Sequence, residues 1–166
     1  INGSFAILCE PNAATIEGGC NGTMRIEIAL SGIKAHSARP WMGSNAIHKL
    51  SGVLNVLNAY TPEEIEVDGL VFRESLNAVL VSGGIAANVI PDAASVTLNY
   101  RFAPSRTVEE ATEYLRTLFP DSLFTVVDSA AGARPGMNSP EAKAFVAAVN
   151  ATVNPKYGWT DVARFL

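Results

Sequence analysis

An α/β (α+β) fold is predicted for this chain, and three observations carry that expectation. Stretches that alternate apolar and polar residues are separated by stretches with a single helical apolar face, and the helix starts carry capping residues. From residue 23 to residue 128 the elements run β-α-β-β-α-β, the split βαβ order of ferredoxin-like folds. On either side of that unit lie a short apolar run and a capped helix, which suit pieces of a second, incomplete α/β domain.

Phe5-Ala6-Ile7-Leu8-Cys9 is an unbroken apolar run closed by Glu10-Pro11. It predicts a strand buried on both faces, with Glu10 at its carboxyl end, where open α/β sheets hold ligands. Met24, Ile26, Ile28 and Leu30 then alternate with Arg25, Glu27 and Ser31, the pattern of a half-exposed strand. Ile47, Leu50, Leu54 and Leu57, with Val53 beside them, give one apolar helix face over about residues 44–59. Leu76 to Ser82 and Ser95 to Phe102 read as strands joined through Asn88-Val89-Ile90-Pro91-Asp92, with an additional extended piece near Ile65 to Phe72. Val96, Leu98, Tyr100 and Phe102 alternate with Thr97, Asn99 and Arg101, so Arg101 is expected to point away from the apolar face. Thr107 and Glu110 form a capping box for a helix whose Val108, Ala111, Leu115 and Leu118 share one side. Leu123 to Val127 is the last strand of the unit. Gly132-Ala133-Arg134-Pro135-Gly136 has the composition of a crossing linker. Ser139 then caps a helix with Pro140 at its first position and Ala142, Phe145, Val146 and Val149 inward. The expected boundaries are 1–19 and 132–166 for the two flanking pieces and 20–131 for the inserted domain.

The 166 residues are 48% hydrophobic and 17% charged, which is globular rather than disordered. A net charge of −4, with the 12 Lys and Arg scattered singly, offers no basic stripe for nucleic acid or an anionic membrane. No apolar run reaches the ~18 residues needed to span a bilayer, and the first residues lack the basic start of a secretory signal. Cys9 and Cys20 are too few for a disulfide framework and too widely spaced for a CxxC knuckle, so reduced thiols and a cytoplasmic protein are expected.

His36 lies in the Gly/Pro-punctuated loop from Gly32 to Gly43, between a strand and a helix. An imidazole there can donate to a developing oxyanion or shuttle a proton, its unperturbed pKa being about 6.5; a histidine that stabilises a turn is the plainer reading. His48 falls inside the helix without an acidic neighbour and reads as structural. Two histidines twelve residues apart exclude an HExxH site and support a self-contained zinc site weakly. Glu10 could contribute one carboxylate to a cation whose other ligands lie elsewhere. Arg101 could hold a carboxylate bidentately and Asn88 could offer an amide, although a salt bridge or a turn cap explains each as well. Tyr157-Gly158-Trp159-Thr160-Asp161 is a tight turn in which Thr160 or Asp161 could cap a following helix. No GxSxG elbow, P-loop or GxGxxG fingerprint is present.

Cys9-Glu10-Pro11, the His36 loop through Asn45-Ala46-Ile47-His48-Lys49, Asn88-Val89-Ile90-Pro91 with Tyr100-Arg101-Phe102, and Gly158-Trp159-Thr160-Asp161 form an ordered set. In that set the chain resembles, essentially from end to end, the dinuclear-zinc aminoacylase and carboxypeptidase-like metallopeptidases. The resemblance implies a catalytic α/β domain with two zinc ions, cobalt being an alternative metal, and an inserted ferredoxin-like lid that makes a homodimer. It implies that Glu10 is a metal ligand and that His36 stabilises the oxyanion, in the partner subunit's site. Asn88 and Arg101 would hold carboxylate or amide groups of an N-acyl amino acid, a succinyl amide among them, and Gly158 and Thr160 would line the pocket. The family's His-x-Asp pair, bridging Asp, Glu-Glu pair and final His are not among these residues, which implies one part of an enzyme, inactive alone. Cys20-Asn21 stands where some relatives carry arginines. The competing reading of the same residues is a non-catalytic ferredoxin-like module that oligomerises or binds a small molecule.

Overall fold

The computed structural model describes residues 5–165. In chain order its elements are β1 (Ile16–Gly18), β2 (Gly22–Ser31), β3 (Ala35–His36), α1 (Ala46–Ala59), β4 (Glu64–Val67), β5 (Leu70–Arg73), β6 (Ser75–Gly83), β7 (Val89–Ile90), β8 (Ala93–Phe102), α2 (Val108–Leu118), β9 (Phe124–Ala130), α3 (Pro140–Val149) and β10 (Val153–Pro155). Short 3₁₀ turns occupy Pro40–Met42 and Asp161–Phe165.

The centre is a four-stranded antiparallel sheet in the order β6-β8-β2-β9. The expected alternation decides its two faces. Met24, Ile26 and Ile28 of β2 and Val96, Leu98, Tyr100 and Phe102 of β8 are buried, while Arg25 and Glu27 are exposed on the other side. Helices α1 and α2 cover the apolar face, so Leu50, Val53, Ala111 and Leu115 close a two-layer core against it. Helix α2 starts on the predicted box: Thr107 Oγ1 accepts from the Glu110 N–H at 3.1 Å and Glu110 Oε2 accepts from the Thr107 N–H at 2.8 Å. The extended piece near Ile65 to Phe72 is the β4–β5 hairpin, whose Phe72 and Val67 pack with Ala103 in a small second core.

The link between hairpin and sheet is a buried carboxylate. Glu74 is fully buried; it accepts from the Tyr100 hydroxyl at 2.6 Å, the Ala103 N–H at 2.9 Å and Arg106 Nε at 2.8 Å. Arg106 also pairs with Glu63 at 2.7 Å and lies over the Tyr114 ring. Burial, followed by the hydrogen bond to Glu74, pushes the Tyr100 phenol well above its ordinary value, and burial does the same to Tyr60.

Three expectations are corrected. Phe5 to Cys9 is not a buried strand: these residues have no regular structure and are exposed. A strand buried on both faces needs neighbours for its backbone groups, and none of the described residues pairs with it. The parallel pairing of this region is made instead by β1 and β10, Ile16 opposite Val153. In α1 the apolar face is turned from the predicted one. The helix begins at Ala46, where Asn45 Oδ1 accepts from the Ile47 N–H, and it buries Ala46, Leu50 and Val53, leaving Ile47 and Leu54 each 39% exposed. Ile47 rests against Gly83 at the end of the edge strand β6 and is only partly covered there. In α3, Ala142 is buried as expected, but Val149 is exposed.

Candidate functional site

Glu10, Thr160 and Lys156 meet although 146 residues or more separate the first from the other two. The β1–β10 pairing brings the two flanking segments alongside each other, and a reciprocal bridge between Cys20 and Ala133 (2.9 and 3.0 Å) ties both to the start of the sheet. Thr160 Oγ1 donates to Glu10 Oε1 at 2.8 Å, and Lys156 Nζ lies 3.2 Å from Glu10 Oε2 and 2.6 Å from Glu17 Oε2. These bonds, from Thr160 first and Lys156 second, hold the Glu10 carboxyl below its ordinary value. The bond to Glu17 raises the Lys156 ammonium. Cys20 is buried beneath this group, with its Sγ 3.9 Å from the Thr160 carbonyl oxygen, and burial pushes the thiol up. Cys9 is exposed and free. Gly158 is exposed, with open space where a Cβ would stand. A cavity of about 730 Å³ adjoins Glu10 and Thr160, walled by Phe5, Ile7, Phe145 and Val146.

His36 and Asn88 form a second group. Strand β3 pairs with β7, placing His36 opposite Val89, and the Asn88 carbonyl accepts from the Ser37 N–H at 2.9 Å. His36 is exposed; its Nδ1 accepts from the Ala38 N–H at 3.1 Å, which leaves Nε2 facing outward as the nitrogen available to donate. His48 is also exposed, on α1.

Arg101 lies on the polar face of the sheet, as its alternation predicts, in a groove of about 340 Å³ with Thr23, Arg25, Asn99, Asp128 and Trp159. Trp159 enters from the 157–161 turn, its Nε1 donating to the Ala131 carbonyl at 3.0 Å. The turn therefore stands between two groups, with Trp159 at the Arg101 groove and Thr160 on Glu10.

The six predicted residues thus fall into places that β2 keeps apart. Arg101 pairs with Thr23 near the Gly22 end, while Gly32 bonds Asp92 beyond the Ser31 end. The nine steps from Gly22 to Ser31 span about 30 Å at ~3.3 Å per residue. Glu10, Thr160, Gly158 and Arg101 lie toward one end, and His36 with Asn88 lies toward the other.

Glu10 offers one carboxylate, already engaged by an ammonium, and no group of three or more His, Cys, Asp or Glu side chains is placed to hold an ion among the described residues. The side chains present here do not by themselves fit a metal centre. Sequence reasoning passed over Lys156 and Asn99, and it named Trp159 only as part of the 157–161 turn. Lys156 carries no local signal, since its partners are distant in sequence; Asn99 could have been found, because residues i and i+2 of a strand share a face with Arg101.

No helix among the described residues is long and apolar enough to cross a membrane. Residues 19–124 match the M20 peptidase dimerisation domain, and the chain belongs to that family. The chain is 52% identical, over 99% of its length, to a Mycobacterium tuberculosis protein named putative succinyl-diaminopimelate desuccinylase. It is 45% identical, over 97% of its length, to the succinyl-diaminopimelate desuccinylase of Corynebacterium glutamicum. It spans under half of these relatives, 47% and 45% of their lengths. Among solved structures, the M20 family metallo-carboxypeptidase Sso-CP2 of Sulfolobus solfataricus matches with a TM-score of 0.65 at 14% identity, over 88% of this chain and 47% of that one. Aminopeptidase PepT of Bacillus cereus matches with a TM-score of 0.64 at 12% identity, over 95% and 44%. At such identities the structures support the fold alone, and that fold is the mixed α/β architecture expected from the sequence.

Proposed function

We propose that this chain is part of a metal-dependent amidohydrolase that cleaves the succinyl amide of N-succinyl-LL-2,6-diaminopimelate, releasing succinate and diaminopimelate. The observation that carries the reading is the extent of the likeness: identity to proteins named for that activity runs over 97–99% of the chain, flanking segments included. A free-standing, non-catalytic lid module would not call for likeness through the Glu10 and Thr160 segments. Residues 20–131 serve as the lid and dimerisation domain, and residues 1–19 and 132–166 belong to the catalytic domain. Residues 1–4 lie outside the described part.

Within that enzyme Glu10 would be one ligand of a divalent metal, a pair of zinc ions with cobalt as the alternative, whose remaining ligands would come from outside the described residues. Such a metal would supply Lewis acidity. The residues of this chain bind and orient. Arg101 holds a substrate carboxylate, with Gly158 and Thr160 lining the pocket. Asn88 lies with His36 at the far end of β2 and, together with His36, reaches the substrate's polar groups from a second copy. His36 donates from Nε2 to the developing oxyanion. The separation of about 30 Å between the ends of β2 is too great for His36 to reach the Glu10 region of its own subunit, which supports action in the site of a second copy. A homodimer joined through α1 and the edge strand β6 fits this, because Ile47, Leu54, Leu80, Val81 and Ile85 leave apolar surface there. We place the enzyme in the cytoplasm, where the two free thiols stay reduced.

The test uses the full-length enzyme. His36→Ala should lower kcat by about 10²- to 10³-fold, the usual loss of one oxyanion donor, without loss of metal or fold. Mixing it with a variant lacking the general base should restore part of the activity after subunit exchange. Near-normal kcat would remove the catalytic role, and no recovery would rule out action in trans.

A further inference from the structure

The polar face of the sheet holds two arginines in neighbouring rows, and they are treated differently. Arg25, paired across β2 and β9 with Asp128, meets its carboxylate at 2.7 Å, so its charge is answered within the chain. Arg101 meets no carboxylate among the described residues. Its Nε donates at 3.0 Å to the amide oxygen of Asn99, two residues earlier on the same face. Asn99 in turn donates from Nδ2 to Thr23 Oγ1 and to the Met24 carbonyl oxygen, both at 3.3 Å. The amide can take only this orientation: the Met24 carbonyl only accepts and Arg101 Nε only donates, so exchanging oxygen for nitrogen would break a bond on both sides.

We propose that Asn99 is a positioning residue that presents the Arg101 guanidinium to a substrate carboxylate in the groove beside Trp159. The proposal rests on the reading of Arg101 as a substrate-binding residue. A neutral acceptor on Nε sets the plane of the guanidinium and leaves both terminal nitrogens for bidentate contact. A carboxylate in the same position would also orient the group but would neutralise it, as Asp128 does for Arg25. Holding the side chain in advance lowers the ordering cost of binding, so Asn99 acts on affinity for the anion rather than on the bond-breaking step.

The experiment compares full-length enzyme variants on N-succinyl-diaminopimelate and on analogues in which each carboxylate in turn is a carboxamide. Arg101→Ala identifies the carboxylate concerned, as the one whose replacement no longer matters. Asn99→Leu should then raise KM for the carboxylate substrate about tenfold, the cost of a lost hydrogen bond to a charged group. It should leave kcat within about twofold, and it should have no effect on the matching carboxamide. Added to Arg101→Ala it should change nothing further. Asn99→Thr, which suits a strand but is too short to reach Nε, should behave alike and guards against misfolding of the leucine variant. Equal losses on acid and amide substrates, or an Asn99 effect that persists in the Arg101→Ala background, would overturn the positioning role alone. An Arg101→Ala enzyme that still distinguishes every carboxylate from its amide would overturn the substrate-binding reading and this inference with it.

Discussion

The central sheet and the segments flanking it are both rich in apolar residues, yet only one of them uses those residues to close a core. In the sheet, Met24, Ile28, Val96, Leu98 and Tyr100 are fully buried under α1 and α2. In the flanks, Phe5, Ile7, Leu8, Val149 and Phe165 remain 40% to 57% exposed, several of them around the 730 Å³ cavity. Apolar residues stabilise a fold only when a second layer covers them, and the sheet finds that layer between Gly22 and Ala130, while the described flanks hold α3 and the three-residue β1–β10 pairing with no larger sheet to cover their apolar side chains. The difference teaches which part of the chain is a self-sufficient folding unit and which depends on further structure.

Three experiments can break or sharpen that comparison. The largest expected effect is at Glu74. Glu74→Ala leaves Arg106 and Tyr100 without their buried partner and should cost about 3–5 kcal/mol, read as a shift in urea midpoint. A loss no larger than that of a flank substitution would show that the carboxylate is not what joins hairpin to sheet. Next, Leu98→Ala should cost about 2–5 kcal/mol, whereas Val149→Ala should stay within about 0.5 kcal/mol; equal costs would erase the contrast between core and flank. The smallest effect is alkaline. Burial raises the phenols of Tyr60 and Tyr100, so the unfolded chain releases these protons from about pH 10 while the folded chain keeps them. Their contribution is complete below that pH and is lost progressively as the pH rises above it. Tyr60→Phe should flatten this decline, and a slope unchanged by the substitution would assign alkaline sensitivity elsewhere.

Much of the sheet was legible residue by residue. The alternation in β2 and β8 and the capping box at Thr107 are local patterns, and the structure repeats them. Phe5 to Cys9 was misread because a continuous apolar run states a need for neighbours without supplying them. Ile47 and Leu54 were misread for a related reason: periodicity gives the set of apolar positions but not which of them the sheet covers, and packing buries Ala46, Leu50 and Val53 instead. Of the candidate residues, chemistry and order singled out Glu10, His36, Asn88, Arg101, Gly158 and Thr160, but their distances lay beyond any reading of spacing.

The sequence by itself determined the α/β class, the element order and the face on which Arg101 stands, because hydrophobic period and capping act between residues a few positions apart. Tertiary structure alone decided that Thr160 and Lys156 close on Glu10, and that β2 sets His36 apart from Glu10. Those contacts join segments up to 150 residues apart, and pairing over such separations follows from sheet register and packing, which no local pattern encodes.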